Sequence, residues 1–116
     1  MKQKMNEILF REKYREFLKL SFEQEKDYLP MENGEYQYDP DVDIPWDIVE
    51  ASENYEKWIQ VGLFLEDADY SEYCPTKEQF KEYGESFGKE FHVSSKLIDL
   101  WNQALMNLPL RIRGIV

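Results

Sequence analysis

Cysteine is almost missing from this sequence: Cys74 is the only one. A single thiol cannot close an intramolecular disulfide, so the composition fits a reducing compartment, and a cytoplasm, of the cell itself or of a host, is the expected location. Histidine is equally scarce, with His92 alone. Glycine and proline, at five each, are too few for a low-complexity or collagen-like chain. Long apolar runs are lacking as well. The longest nearly uninterrupted one, residues 58–65, falls far short of the roughly 20 residues that cross a bilayer. The opening Met1-Lys2-Gln3-Lys4 is charged, with no apolar stretch of a secretion signal behind it. Neither a phosphate-cradling glycine loop nor a Gly-x-Ser-x-Gly elbow nor a His-Glu-x-x-His pair occurs. Carboxylates are so numerous that no one pair marks itself out for acid–base chemistry, and His92 has no nucleophile or ligand near it in sequence. The expectation is a protein that is not an enzyme, without cofactor or bound metal.

What is present is a globular composition, 42% apolar and 16% aromatic over 116 residues. That length sits near the usual domain size, so residues 1–116 are expected to form a single domain around one core. The charge is unevenly placed. Residues 1–26 carry a net +2 and residues 73–116 a net +1, whereas residues 27–72 hold fourteen Asp and Glu against Lys57 alone, a net −13 within a total of −10. Phosphate backbones are repelled by such a surface.

Helical periodicity is the main structural signal. Ile8, Leu9, Tyr14, Phe17 and Leu18 predict a first helix over residues 5–28, ended by Pro30. Asn33-Gly34 is a dipeptide suited to a tight hairpin turn, and residues 29–38 are compatible with either a small β-hairpin or an irregular turn. Pro45, followed by Asp47 and Glu50, suits a helix start, with a roughly helical rhythm onward to about residue 65. Within that stretch residues 58–65 are β-branched and aromatic enough to read equally as a buried strand. Thr76-Lys77-Glu78-Gln79 has the form of a capping box, and Phe80, Tyr83, Phe87 and Phe91 follow it at helical spacing. Ser94 or Ser95 caps another helix, whose face is Leu97, Ile98, Trp101, Ala104, Leu105 and Leu108, with Pro109 as its stop. The tail from Leu110 alternates apolar and basic residues and is expected as an edge strand or a frayed end. The predicted fold is mainly α, a compact bundle of about four helices, with residues 29–38 as its candidate hairpin.

Three short stretches resemble known sites. Residues 39–50, with Asp39, Asp41, Asp43, Asp47 and Glu50, are similar to a calcium-binding EF-hand loop, in which oxygen ligands alternate and a carboxylate closes the twelfth position. Ile44 stands where that family needs glycine for its turn. Residues 87–101 resemble the core of a helix-turn-helix unit, with Phe87, Gly88, Phe91, Val93, Ile98 and Trp101 at its packing positions. His92 replaces the usual glycine of its turn. The resemblance implies a DNA-binding regulator using residues 80–108, with Lys96, Asn102 and Gln103 toward the nucleic acid, although Asp99 lies among them and no basic cluster accompanies them. Cys74-Pro75 resembles the haem-regulatory dipeptide. It also precedes a helix start, whose partial positive charge would lower the thiol pKa; an inert cysteine is the preferred reading.

The acidic middle carries the functional expectation. Tyrosines interleaved with carboxylates supply large anchors at small rotamer cost, and surrounding negative charge speeds association with a cation-rich partner. Glu35, Tyr36, Tyr38, Asp39, Asp41, Asp43, Asp47, Glu66, Asp67, Asp69, Tyr70 and Glu72 are therefore the candidate contact residues. They point to an acidic inhibitor, monomeric or homodimeric, that blocks the basic site of a nuclease-like or nucleic-acid-binding protein, as an immunity protein, antitoxin or DNA-mimicking phage anti-defence protein does. Direct nucleic-acid and membrane binding are not expected. Helix-turn-helix regulation and calcium binding through residues 39–50 are the alternatives.

Overall fold

A computed structural model describes residues 2–114. The chain is mainly α, with a small antiparallel hairpin. The first helix, α1 (Glu7–Glu25), begins where the Asn6 side chain accepts the Leu9 N–H at 2.9 Å, and its end tightens into a 3-10 turn over Lys26–Tyr28. The helix is thus shorter than residues 5–28. Its inward face also differs from the expected one: Ile8 is 71% exposed, while Phe10, Tyr14, Phe17, Leu18 and Phe22 are buried. Successive turns at 3.6 residues bring Phe10, not Ile8, onto the line of Tyr14 and Phe17.

The hairpin forms. Strands β1 (Met31–Glu32) and β2 (Glu35–Tyr36) pair through a turn in which Asn33 and Gly34 take φ of 53° and 79°, a conformation that this dipeptide tolerates. Pro30 stands just ahead of β1, where its missing N–H removes no ladder bond.

Residues 45–65 are not one helix. A short α2 (Trp46–Glu50) gives way to α3 (Glu53–Asp67) because Ser52 serves both, donating its hydroxyl to the Val49 carbonyl at 2.6 Å and accepting the Tyr55 N–H at 3.2 Å. Residues 58–65 are helical. Val61, Gly62 and Leu65 face inward, and Trp58 stacks on Phe17 at 5.6 Å. With Lys4 bridged to Asp69 at one end and Trp58 bonded to Ser21 near the other, α3 runs antiparallel to α1.

The capping box is present in α4 (Lys77–Phe91): Thr76 accepts the Gln79 N–H at 3.1 Å, and Gln79 accepts the Thr76 N–H at 3.0 Å. Contacts of Glu7 with Tyr83, Arg15 with Glu90 and Phe22 with Phe91 set α4 parallel to α1. Ser94 caps α5 (Ser95–Asn102), which stops well before residue 108. Its next three N–H groups bond to carbonyls three residues back, and Asn102 turns its side chain to the Tyr14 hydroxyl at 2.5 Å. Leu105 and Leu108 reach the core from the turns that follow. The tail is neither strand nor frayed through Arg113. Pro109 leads into α6 (Leu110–Arg113), one helical turn that fully buries Ile112, while Ile115 and Val116 lie outside the described residues. One apolar cluster draws on α1, α3, α4, α5 and α6.

Candidate protein-binding surface

The acidic segment between α1 and α3 takes its position from β2. The Tyr36 N–H donates to the His92 carbonyl at 2.7 Å and the Ser94 N–H donates to the Tyr36 carbonyl at 3.0 Å, which fastens the hairpin to the turn between α4 and α5. The Tyr36 ring packs edge-on against Phe22 at 4.9 Å. Beyond it the chain is irregular, turns at residues 40–41, and alternates exposed with half-buried residues. Asp39 accepts the Asp41 N–H at 2.9 Å, and Tyr38, 40% exposed, lies beneath the Lys96 ammonium at 5.3 Å. Val49 buries the inner side of α2, leaving Trp46 and Ile48 outward at 48% and 64% exposure. Among the described residues none of Glu35, Asp39, Asp41, Asp43 and Asp47 is in an ion pair. Of the fourteen carboxylates between residues 27 and 72, only Glu53 with Lys57 and Glu72 with Lys4 are so engaged among the described residues.

The other half of the expected surface lies at the far end of α3, a separation of about 22 Å at the helical rise. Several residues there serve the fold. Asp69 exchanges backbone bonds with Gln3 and Met5, and its carboxylate accepts the Ser71 N–H at 2.9 Å. The bonds from Ser71, with help from Lys4 and Lys2, hold that carboxyl below its usual range. The Tyr70 hydroxyl donates to the Leu65 carbonyl at 2.5 Å, and burial raises its pKa. Glu66 accepts the Asn107 N–H at 2.8 Å, and Glu72 pairs with Lys4 at 2.9 Å. Asp67 is exposed and unpaired among the described residues. The twelve expected contact residues therefore fall into two groups, one along residues 35–47 and one along residues 66–72.

The carboxylates of residues 39–50 do not converge: among the described residues no three Asp, Glu, His or Cys side chains come together as metal ligands. The helix-turn-helix packing positions do meet. A Cβ on Gly88 would stand 2.8 Å from the Val93 carbonyl oxygen, and Val93, Ile98 and Trp101 are buried. His92 adopts the left-handed φ of 57° for which glycine is the usual choice. The Cys74 thiol has its pKa raised by burial, with Arg111 opposing, so the lowering expected from the following helix does not prevail.

Two sets of exposed side chains escape a reading by composition. Ile59 and Leu63, four apart on α3, point outward at 36% and 49% exposure. Lys77, Lys81 and Lys89 share a face of α4 with Phe80, Gly84 and Gly88 and line a groove there. Their multiples-of-four spacing was the available signal. Comparisons with family models, curated proteins and solved structures find no match for the chain. No described helix is long and apolar enough to cross a membrane.

Proposed function

We propose that the chain is a non-catalytic inhibitor whose acidic segment, residues 35–47, occupies the basic site of a nuclease-like or nucleic-acid-binding partner, in the cytoplasm of its own cell or of a host. This is the behaviour of an immunity protein, an antitoxin or a phage anti-defence protein, with carboxylates standing in for phosphates. One observation carries the reading: Glu35, Asp39, Asp41, Asp43 and Asp47 have no ion-pair partner among the described residues and lie along the chain with the exposed Tyr38, Trp46 and Ile48. Unpaired charge steers a cationic partner, and the aromatic residues supply contact area once it arrives. The group at residues 66–72 is secondary, because most of its polar atoms already have partners within the fold. The test is capture of partners from lysate by the wild-type protein and by a variant carrying Asp41→Asn, Asp43→Asn and Asp47→Asn. Basic, nucleic-acid-binding proteins retained by the former and lost by the latter, with retention weakening as salt rises, is the expected result. Retention of acidic proteins alone, or equal retention by both forms, would overturn it.

The second reading, a small DNA-binding regulator, is favoured by the close packing of Gly88 on Val93. Against it, β2 lies across the turn before α5, and Tyr38 sits under Lys96 at the helix end that would enter a groove of DNA. A mobility-shift assay separates the two, since the inhibitor reading requires that no shift occur.

A further inference from the structure

A groove of about 910 Å³ runs along α4 on the side that faces α5 and α6. Its base is apolar, built from Phe80 of α4, Ile98 of α5 and Ile112 of α6. Gly84 lets these elements close: a Cβ there would stand 3.0 Å from the Ile98 side chain and 3.2 Å from the Tyr14 hydroxyl. The walls have the opposite charge from the rest of the molecule. They carry five cations against three carboxylates, in a chain of net −10. Those cations are not spread evenly. Lys96 lies over Tyr38 and has Asp99 one turn away on its own helix. Lys77, Lys81 and Arg113 gather at the other end, where α6 meets the start of α4. Arg113 is oriented by its own bond, Nη1 donating to the Met106 carbonyl at 2.8 Å, and the Lys77 stem lies against Gly114. Glu85 approaches Lys81 at only 3.9 Å.

We infer that this groove binds an amphipathic organic anion, a carboxylate or phosphate on an apolar body, with its headgroup among Lys77, Lys81 and Arg113 and its body against the half-buried Phe80, with the buried Ile98 and Ile112 beneath. The volume lies in the range of small-molecule sites, and an apolar base with a few convergent polar groups is their usual construction. Several cations along one wall of a groove add their attraction for an anion, and a guanidinium offers a planar fork that carboxylate and phosphate match. Because the molecule as a whole repels anions, charge alone is a weak attraction here, and the apolar body supplies the remainder.

The test is an amide chemical-shift titration of the full chain. The probes are decanoate below its micelle concentration, phenyl phosphate, decanol and inorganic phosphate. Saturable shifts confined to residues 77–89, 95–102 and 110–113 are expected with decanoate or phenyl phosphate; whichever binds more tightly identifies the body as aliphatic or aromatic. Decanol and inorganic phosphate should each bind at least about tenfold more weakly. Lys81→Gln and Arg113→Gln should each weaken the better probe about two- to fivefold, as loss of one exposed charge contact does, with Tm unchanged in Lys81→Gln. Binding of decanol or of inorganic phosphate as tight as that of the amphipathic anions would overturn the inference. So would shifts elsewhere on the molecule, indifference to both substitutions, or no binding by either amphipathic probe.

Discussion

Ser21 is 2% exposed on α1 and hangs between two obligations: it donates to the Phe17 carbonyl at 2.9 Å and accepts the Trp58 indole N–H at 2.8 Å. Replacing Ser21 with Ala leaves that indole donor without its partner in a poorly hydrated position. A loss of about 1–3 kcal/mol is expected in urea unfolding. Glu25 poses the opposite case. Burial raises its carboxyl pKa above the ordinary 4.5, opposed by the Trp101 indole N–H that donates to it at 2.8 Å. A group whose pKa is higher in the folded state stabilises the fold fully below its unfolded value, and that contribution is lost as pH rises through the folded value. Glu25→Gln keeps an acceptor for the indole but cannot ionise. The variant should therefore gain in Tm relative to wild type on going from about pH 4 to about pH 7; a constant difference between the two proteins across that interval would contradict the assignment.

The start of α4 shows how much an element can owe to its own few residues. Thr76→Ala removes the hydroxyl that accepts the Gln79 N–H at 3.1 Å and leaves only the backbone half of the reciprocal cap, and about 1 kcal/mol of stability should go with it, read as a lower urea midpoint at unchanged slope. That cap, the aromatic stripe behind it and the Asn33-Gly34 turn were legible in the sequence because each is decided within one turn of chain. Other features depended on distant partners. The helical pattern ends after Asn102, whose side chain meets Tyr14 in another helix, and nothing local to residues 102–108 announces it. The break at Ser52 has no glycine or proline to mark it; a serine that bonds both backward and forward divides α2 from α3. Ile8 and Phe10 are equally apolar, and here the helical period alone tells them apart, since it sets Phe10 in line with Tyr14 and Phe17 and turns Ile8 away. The candidate surface divides on similar lines. Its exposed carboxylates near Tyr38 follow from composition, whereas the structural roles of Tyr36, Asp69 and Tyr70 arise from contacts with His92, Met5 and Leu65.

At the scale of the molecule, a segment of uniform charge in the sequence becomes two groups set apart by the length of α3, while five of the fourteen Lys and Arg line the groove beside α4. The hairpin joins these regions, since β2 holds the turn between α4 and α5 on one side and leads into the acidic stretch on the other. Strands of two residues each cannot persist alone in water, so the bonds from Tyr36 to His92 and Ser94 anchor the hairpin. Hydrogen exchange should reveal it: the amides of Tyr36 and Ser94 are expected to exchange slowly, at rates close to those of the α4 interior, while the amide of Asp43, which bonds to nothing among the described residues, exchanges fast. Equal, rapid exchange at all of these positions would mean that the corner is open. The posture of the negative arm is thus governed from a helical corner remote from it in the chain. A disturbance at that corner, whether a mutation at Val93 or a compound wedged beside it, would loosen the arm without touching a single carboxylate.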